Sequence, residues 1–151
     1  MSSLSIEAIP HREPFLFVDE IVAVDDRRIV TTKFINPAAA FFRGHYPGTP
    51  LMPGVLQCEA CFQAGALLVA HLLGGAGSQP GVPVVTRIKD ARFKRIVRPG
   101  DTLRCEVTLD ETLDNCFFLT GRASVDGKLA SRVVFACMLA EAETPTEEPP
   151  A

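Results

Sequence analysis

The sequence has no apolar stretch long enough to read as a membrane-crossing segment. Its longest apolar runs are strand-sized or are interrupted by Gln, Glu and His. Met1 to Pro10 lacks the basic start and apolar run of a secretory leader, which points to a cytoplasmic protein. Positive charge is not in excess: the net charge is −3, so bulk attraction to nucleic acid or to an anionic membrane is excluded. A complete internal disulfide framework is also excluded, because the cysteines, 58, 61, 105, 116 and 137, number 5. Cys58 and Cys61 form a C-x-x-C, yet no second Cys/His pair stands at metal-ligand spacing, and the pair lies inside an apolar helical run. No metal site is expected, and the thiols are expected to be buried, reduced and to act as small hydrophobes. No internal repeat is evident.

What is present fits one folded unit. The chain has 151 residues, 47% hydrophobic and 22% charged, enough for a single domain with its own core. Phe15 to Val24 and Arg28 to Ile35 are rich in Val, Ile, Phe and Thr, with Asp25-Asp26-Arg27 between them, and read as strand, turn, strand. Gly44 to Gly54 carries 3 prolines and 3 glycines and reads as an ordered loop. From Val55 to Leu73 the only breaker is Gly65, and apolar residues surround most of a helix circumference, so this helix is expected to be buried nearly all round. Pro53 suits its first position, where a missing N–H costs nothing, and Gly74-Gly75 stops it. After a Gly/Pro/Ser loop over Gly74 to Pro83 come four strand-like segments: Val84 to Val97, Thr102 to Glu111, Cys116 to Val125 and Leu129 to Ala140. Asp126-Gly127 between the last two is a two-residue hairpin signal. The expected architecture is α+β, a six-stranded antiparallel sheet curled over one long central helix. The domain is expected to span residues 1–140, and residues 141–151 form an acidic, proline-rich tail expected to be disordered.

The feature that carries chemistry is Gly44-His45-Tyr46-Pro47-Gly48-Thr49-Pro50-Leu51-Met52-Pro53-Gly54-Val55, followed by Glu59 and Gln63. Here the sequence resembles the β-hydroxyacyl-acyl-carrier-protein dehydratases of bacterial fatty-acid synthesis. Their motif reads G-H-(F/Y)-P-x-x-P-x-M-P-G-V, followed by an E-A-x-x-Q helix. Ile9-Pro10-His11-Arg12 with Pro14-Phe15-Leu16 is similar to the family's N-terminal signature. Ala91 to Arg95 with Pro99-Gly100-Asp101 is similar to its third-strand signature, and Gly121 to Ala130 to its final hairpin. The resemblance covers roughly residues 9 to 140. It implies the hot-dog fold, a homodimer with active sites shared at the interface, and in some members a trimer of such dimers. It also implies His45 from one subunit and Glu59 from the other. The spacing alone leaves a site within one chain open, since Glu59 would lie only about 8 Å from the helix start.

Removing water from a 3-hydroxyacyl thioester needs a base at C2, an acid at the 3-hydroxyl and a stabiliser for the thioester oxygen. Neutral imidazole suits the first task, so His45 is the candidate base. A carboxyl in an apolar site stays protonated more readily than in water, so Glu59 is the candidate acid. The N–H groups of Gly54 and Val55 at the helix start are candidates for the oxyanion. No cofactor is required. The bland alternatives are a structural, hydrogen-bonded His45 and a Glu59 that points to solvent, although Gln57, Cys58, Ala60 and Cys61 around Glu59 do not read as a solvated face. Gln63, one turn on, either positions Glu59 or satisfies nearby backbone. His71 falls at the helix end, where an imidazole favours the dipole. His11 has no assigned role.

Arg87, Lys89, Arg92, Lys94, Arg95 and Arg98 place six positive charges close together, with Asp90 the only acid among them. They form either a solvated sheet face or a docking patch for an acidic acyl carrier protein and its phosphopantetheine, with Arg95 and Arg98 contributing. Before the Glu, the family usually reads L-x-L-E-A-x-A-Q; here it is Leu56 to Gln63 with Gln57 and Phe62, which puts acyl length in question. Glu59 rather than Asp separates the chain from the related dehydratase-isomerase. A hot-dog thioesterase and a non-catalytic acyl- or carrier-binding subunit are the competing readings. The first leaves the His45 loop without a role, and the second would be favoured by loss of His45 or Glu59, both of which are present.

Overall fold

A computed structural model of the chain describes residues 4–75 and 81–141. Its strands are β1 (Glu20–Val24), β2 (Arg28–Phe34), β3 (Gly81–Phe93), β4 (Thr102–Leu113), β5 (Cys116–Val125) and β6 (Lys128–Glu141), with one long helix, α1 (Gly54–Leu72), between β2 and β3. The strands form one sheet in the order β1-β2-β4-β5-β6-β3, each pair antiparallel. The sheet wraps α1, which is the architecture the pattern implies. Of the expected tail, 141–151, Glu141 ends β6 and 142–151 lie outside the described residues, as do 76–80 of the Gly74–Pro83 loop.

Alternation builds the inner face. Leu103, Cys105, Val107 and Leu109 of β4 and Phe117, Leu119 and Ala123 of β5 point inward and are buried. They meet Ala60, Cys61, Ala64, Leu67 and Leu68 of α1. Each fully buried large side chain contributes roughly 1.5–3 kcal/mol of transfer free energy. Two glycines let helix and sheet close on each other. A Cβ on Gly65 would stand 2.8 Å from the Phe135 ring, and one on Gly121 2.8 Å from the Cβ of Cys61. By length and composition α1 would cross a bilayer, but 67% of that stretch is buried inside the domain, so it is a core helix.

The structure departs from the sequence pattern at several boundaries. β1 begins at Glu20, not Phe15, because the main chain at Phe15 and Phe17 is hydrogen-bonded to the Gln63 side chain instead of to a strand. Pro53 caps α1 from outside, with an extended ψ of 135°, instead of taking its first position. β3 starts three residues early, paired with β6 from Gly81, and its ladder ends at Phe93. There the N–H groups of Lys94 and Arg95 converge on the carbonyl of Ala130. Asp126 and Gly127, at φ 51° and 77°, make the hairpin turn anticipated between β5 and β6.

Candidate active site

Glu59 lies 1.5 turns into α1, on the one face of the helix that is not packed against the sheet centre. Its side chain keeps only 19% of its exposure. Gln63, one turn on and fully buried, donates from Nε2 to Glu59 Oε1 at 3.2 Å and to the carbonyl of Phe15 at 3.0 Å. Its Oε1 accepts from the Phe17 N–H at 2.7 Å. Both roles open to Gln63 are therefore filled at once: it holds the carboxyl, and it satisfies the backbone of the segment leading into β1. His11, from that segment, places Nε2 3.6 Å from Glu59 Oε1. Burial pushes the Glu59 carboxyl above the ordinary glutamate value, and the Gln63 hydrogen bond and the His11 ring pull only partly against it.

A cavity of about 490 Å³ opens beside Glu59. Phe62 and Ala66 of α1, Val82 to Val85 and Ile88 of β3, and Cys137 of β6 line it, so apart from Glu59 and His11 its wall is apolar. Glu59, Phe62 and Ala66 recur at the i, i+3, i+7 spacing of one helix face, which carries the carboxyl to the mouth and the apolar wall behind it. The chain thus supplies a lipophilic slot with a carboxyl at one end. Four of the five free cysteines are buried, as expected, and Cys116 is half-buried. Burial pushes the Cys137 thiol, beside the slot, up to about 12.

His45 stands on a separate loop. Its Nδ1 contacts the carbonyl of Leu51 at 2.9 Å, and Tyr46 stacks on the ring at a centroid distance of 4.1 Å. If Nδ1 carries the hydrogen in that contact, Nε2 is left as the free, basic nitrogen. The loop is tied down by the Leu51 N–H to the His45 carbonyl at 3.1 Å and the Met52 N–H to the Val97 carbonyl at 2.8 Å. It leads directly into α1, whose start has no side-chain cap. The N–H groups of Leu56 and Gln57 turn back to the Pro53 carbonyl, leaving those of Gly54 and Val55 directed off the helix. A Cβ on Gly54 would meet the Phe93 ring at 2.8 Å, so glycine is needed there for close approach. His45 is not among the residues lining the Glu59 cavity, and the described contacts of its ring are to Leu51 and Tyr46.

Among the remaining residues singled out in the sequence, His71 closes the last turn of α1 and also contacts Asp26 at 3.2 Å. The basic cluster divides. Arg92 is engaged by Asp90 at 2.9 Å, whereas Lys94, Arg95 and Arg98, joined by Lys128, line an open cleft of about 480 Å³. Two features were not legible in the sequence: the contact of His11 with Glu59, and Cys137 in the cavity wall. For His11 the available signal was its place in the N-terminal signature.

A FabA-like domain matches residues 9–134. The 3-hydroxyacyl-(acyl-carrier-protein) dehydratase FabZ of Thermomicrobium roseum is 45% identical over 143 residues, covering 93% of this chain and 94% of that protein. The FabZ dehydratase of Oenococcus oeni is 43% identical, covering 82% and 88%. The chain belongs to the FabZ family of 3-hydroxyacyl-(acyl-carrier-protein) dehydratases. Solved structures give the same hot-dog architecture at lower identity. The dehydratase heterocomplex ApeI:P from Xenorhabdus doucetiae superposes with a TM-score of 0.75 at 14% identity, covering 93% of each chain. A putative thioesterase from Ralstonia eutropha superposes at 0.62 with 20% identity, covering 80% of this chain and 83% of that one. At such identities the likeness fixes the fold alone, so membership rests on the FabA-like domain match and the FabZ relatives.

Proposed function

We propose that the chain is a hydro-lyase that converts a (3R)-3-hydroxyacyl group on acyl carrier protein to the trans-2-enoyl group in fatty-acid synthesis, with His45 as base and Glu59 as acid. The Nε2 of His45 takes the C2 proton, and the electron pair moves into the C2–C3 bond through an enolate-like state. The thioester oxygen gathers charge against the N–H groups of Gly54 and Val55, a contribution worth on the order of 10²-fold in rate per donor. Glu59 gives its proton to the 3-hydroxyl, which leaves as water. The observation that carries this reading is the carboxyl of Glu59, partly buried and held by Gln63 at the mouth of an apolar slot, where protonation is favoured and an acyl chain is dry.

The two reacting groups come from different copies of the chain. β3 is an edge of the sheet, and it exposes Val84, Val85, Ile88 and Phe93, an apolar edge that a soluble domain covers. The Glu59 cavity borders Val82 to Ile88, near the start of β3, and the His45 loop is tied to Val97, beyond its end. A two-fold axis through the middle of β3 pairs the strand antiparallel with its copy and brings the His45 end of one chain toward the Glu59 end of the other. Lys94, Arg95 and Arg98, around their cleft, receive the acidic carrier protein. With its thiols free, the chain suits the reducing cytoplasm.

The test is product analysis with a carrier-bound 3-hydroxyacyl substrate. Enoyl product is expected. Free acid would instead mean a thioesterase, and tight binding without turnover a binding subunit. His45→Ala and Glu59→Gln each are expected to lose on the order of 10²-fold or more. Mixing the two inactive chains under subunit exchange should restore activity, and no restoration would put the site within one chain.

A further inference from the structure

His11 remains after the base, acid and oxyanion donors have been assigned. It arrives from the segment before β1, not from α1, and it lines the same cavity as Glu59. Its Nε2 faces Glu59 Oε1 at 3.6 Å, just beyond hydrogen-bond length. Its Nδ1 is buried without a partner among the described residues. A buried polar atom left unpaired costs about 1–3 kcal/mol and calls for a reason. The tautomer with hydrogen on Nε2 gives one: the donor then points at the carboxyl, and the unpartnered Nδ1 is a bare acceptor instead of a stranded N–H.

We propose that His11 is the positioning residue of Glu59: its Nε2–H aims the carboxyl with Gln63 and draws in to stabilise the carboxylate as its proton leaves for the 3-hydroxyl. The proposal rests on the reading of Glu59 as the acid. A contact that is long while the carboxyl is neutral and shortens as it ionises stabilises the transition state more than the ground state, which is what raises turnover. Gln63 alone cannot do this fully, because its amide also serves Phe15 and Phe17. Among the described residues of the same chain, the other titratable groups near Glu59 are thiols, Cys58 on its own helix and Cys137 on β6; in the dimer proposed above, the base of the other copy faces the site as well. β3 offers only Val82 to Val85 and Ile88, so His11 is the nitrogen donor that this wall supplies from outside α1.

The experiment uses the whole chain and four variants, with Glu59 titrated by carbon-13 NMR of carboxyl-labelled glutamate. The Glu59 signal is assigned by its loss in Glu59→Gln. His11→Phe keeps the ring volume and removes both nitrogens; His11→Ala serves if the phenylalanine does not fit. His11→Gln returns an N–H near the position of Nε2. In His11→Phe the Glu59 midpoint should move to higher pH and kcat should fall on the order of 10-fold, less than the loss expected for removing the acid itself. His11→Gln should recover both toward the parent values. A Glu59 midpoint unmoved in both His11→Phe and His11→Ala overturns the proposal whatever happens to the rate. Full activity in Glu59→Gln overturns the acid reading separately, and the proposal with it.

Discussion

Gln63 joins the core to the site, and its replacement by leucine separates those functions. The side chain is fully buried and makes three hydrogen bonds: from the Phe17 N–H at 2.7 Å, to the Phe15 carbonyl at 3.0 Å and to Glu59 at 3.2 Å. Leucine has similar volume, so the packing term is small, and the cost comes from stranding the Phe17 N–H away from water. An unsatisfied buried donor costs about 1–3 kcal/mol, and the Phe15 carbonyl, less deeply buried, adds a smaller amount. At roughly 2–4 °C per kcal/mol for a domain of this size, melting should drop by about 3–14 °C. Gln63→Glu is the discriminating partner. Buried beside Glu59, the new carboxyl is held protonated; it still accepts from the Phe17 N–H but keeps one donor for two acceptors, so it should keep Phe17 protected and lose more of the turnover. Thermal melting gives the stability cost, and hydrogen exchange at Phe17 localises it, with protection lost in Gln63→Leu and retained in Gln63→Glu. A melting change under about 1 °C in Gln63→Leu, with Phe17 still protected, would refute the view that this one side chain anchors the segment carrying His11.

Gly65→Ala should cost about 1–3 kcal/mol in a melting experiment, because its Cβ meets the buried Phe135 ring at 2.8 Å. Gly54→Ala meets the Phe93 ring at the same distance, at the helix start proposed to receive the oxyanion, so it should lower turnover as well as melting temperature. Reversing the charge of both Arg95 and Arg98 should raise KM for carrier-bound substrate and flatten its dependence on salt, with the rate on a small thioester substrate unchanged; an unchanged KM sinks the docking role. Because burial raises the Glu59 carboxyl in the folded state, folding binds its proton more tightly than the unfolded chain does. The parent should therefore lose stability relative to Glu59→Gln as pH rises from the unfolded value through the raised folded one, which denaturant titrations at a series of pH values measure.

The local chemistry was written in the sequence. Segments rich in β-branched and aromatic residues between breakers defined the strands, the apolar run from Val55 with Gly65 its only breaker defined the helix, and Asp126-Gly127 a turn, since each depends on neighbours in the chain. The Gly/Pro-rich loop ahead of Glu59 marked the site for the same reason, and its motif matched a family. Contacts between distant segments were not legible. That Phe15 and Phe17 leave the first strand to bind Gln63, that His11 faces Glu59 and that Cys137 lines the apolar slot all depend on how the sheet closes over α1. Gly65 reads as an interruption in the sequence and Gly121 as part of a hairpin, and only the packed structure shows them as the places where Phe135 and Cys61 come close. Periodicity records which face a residue occupies, whereas the identity of the residue opposite is set by register and curvature, which exist only once the sheet is formed.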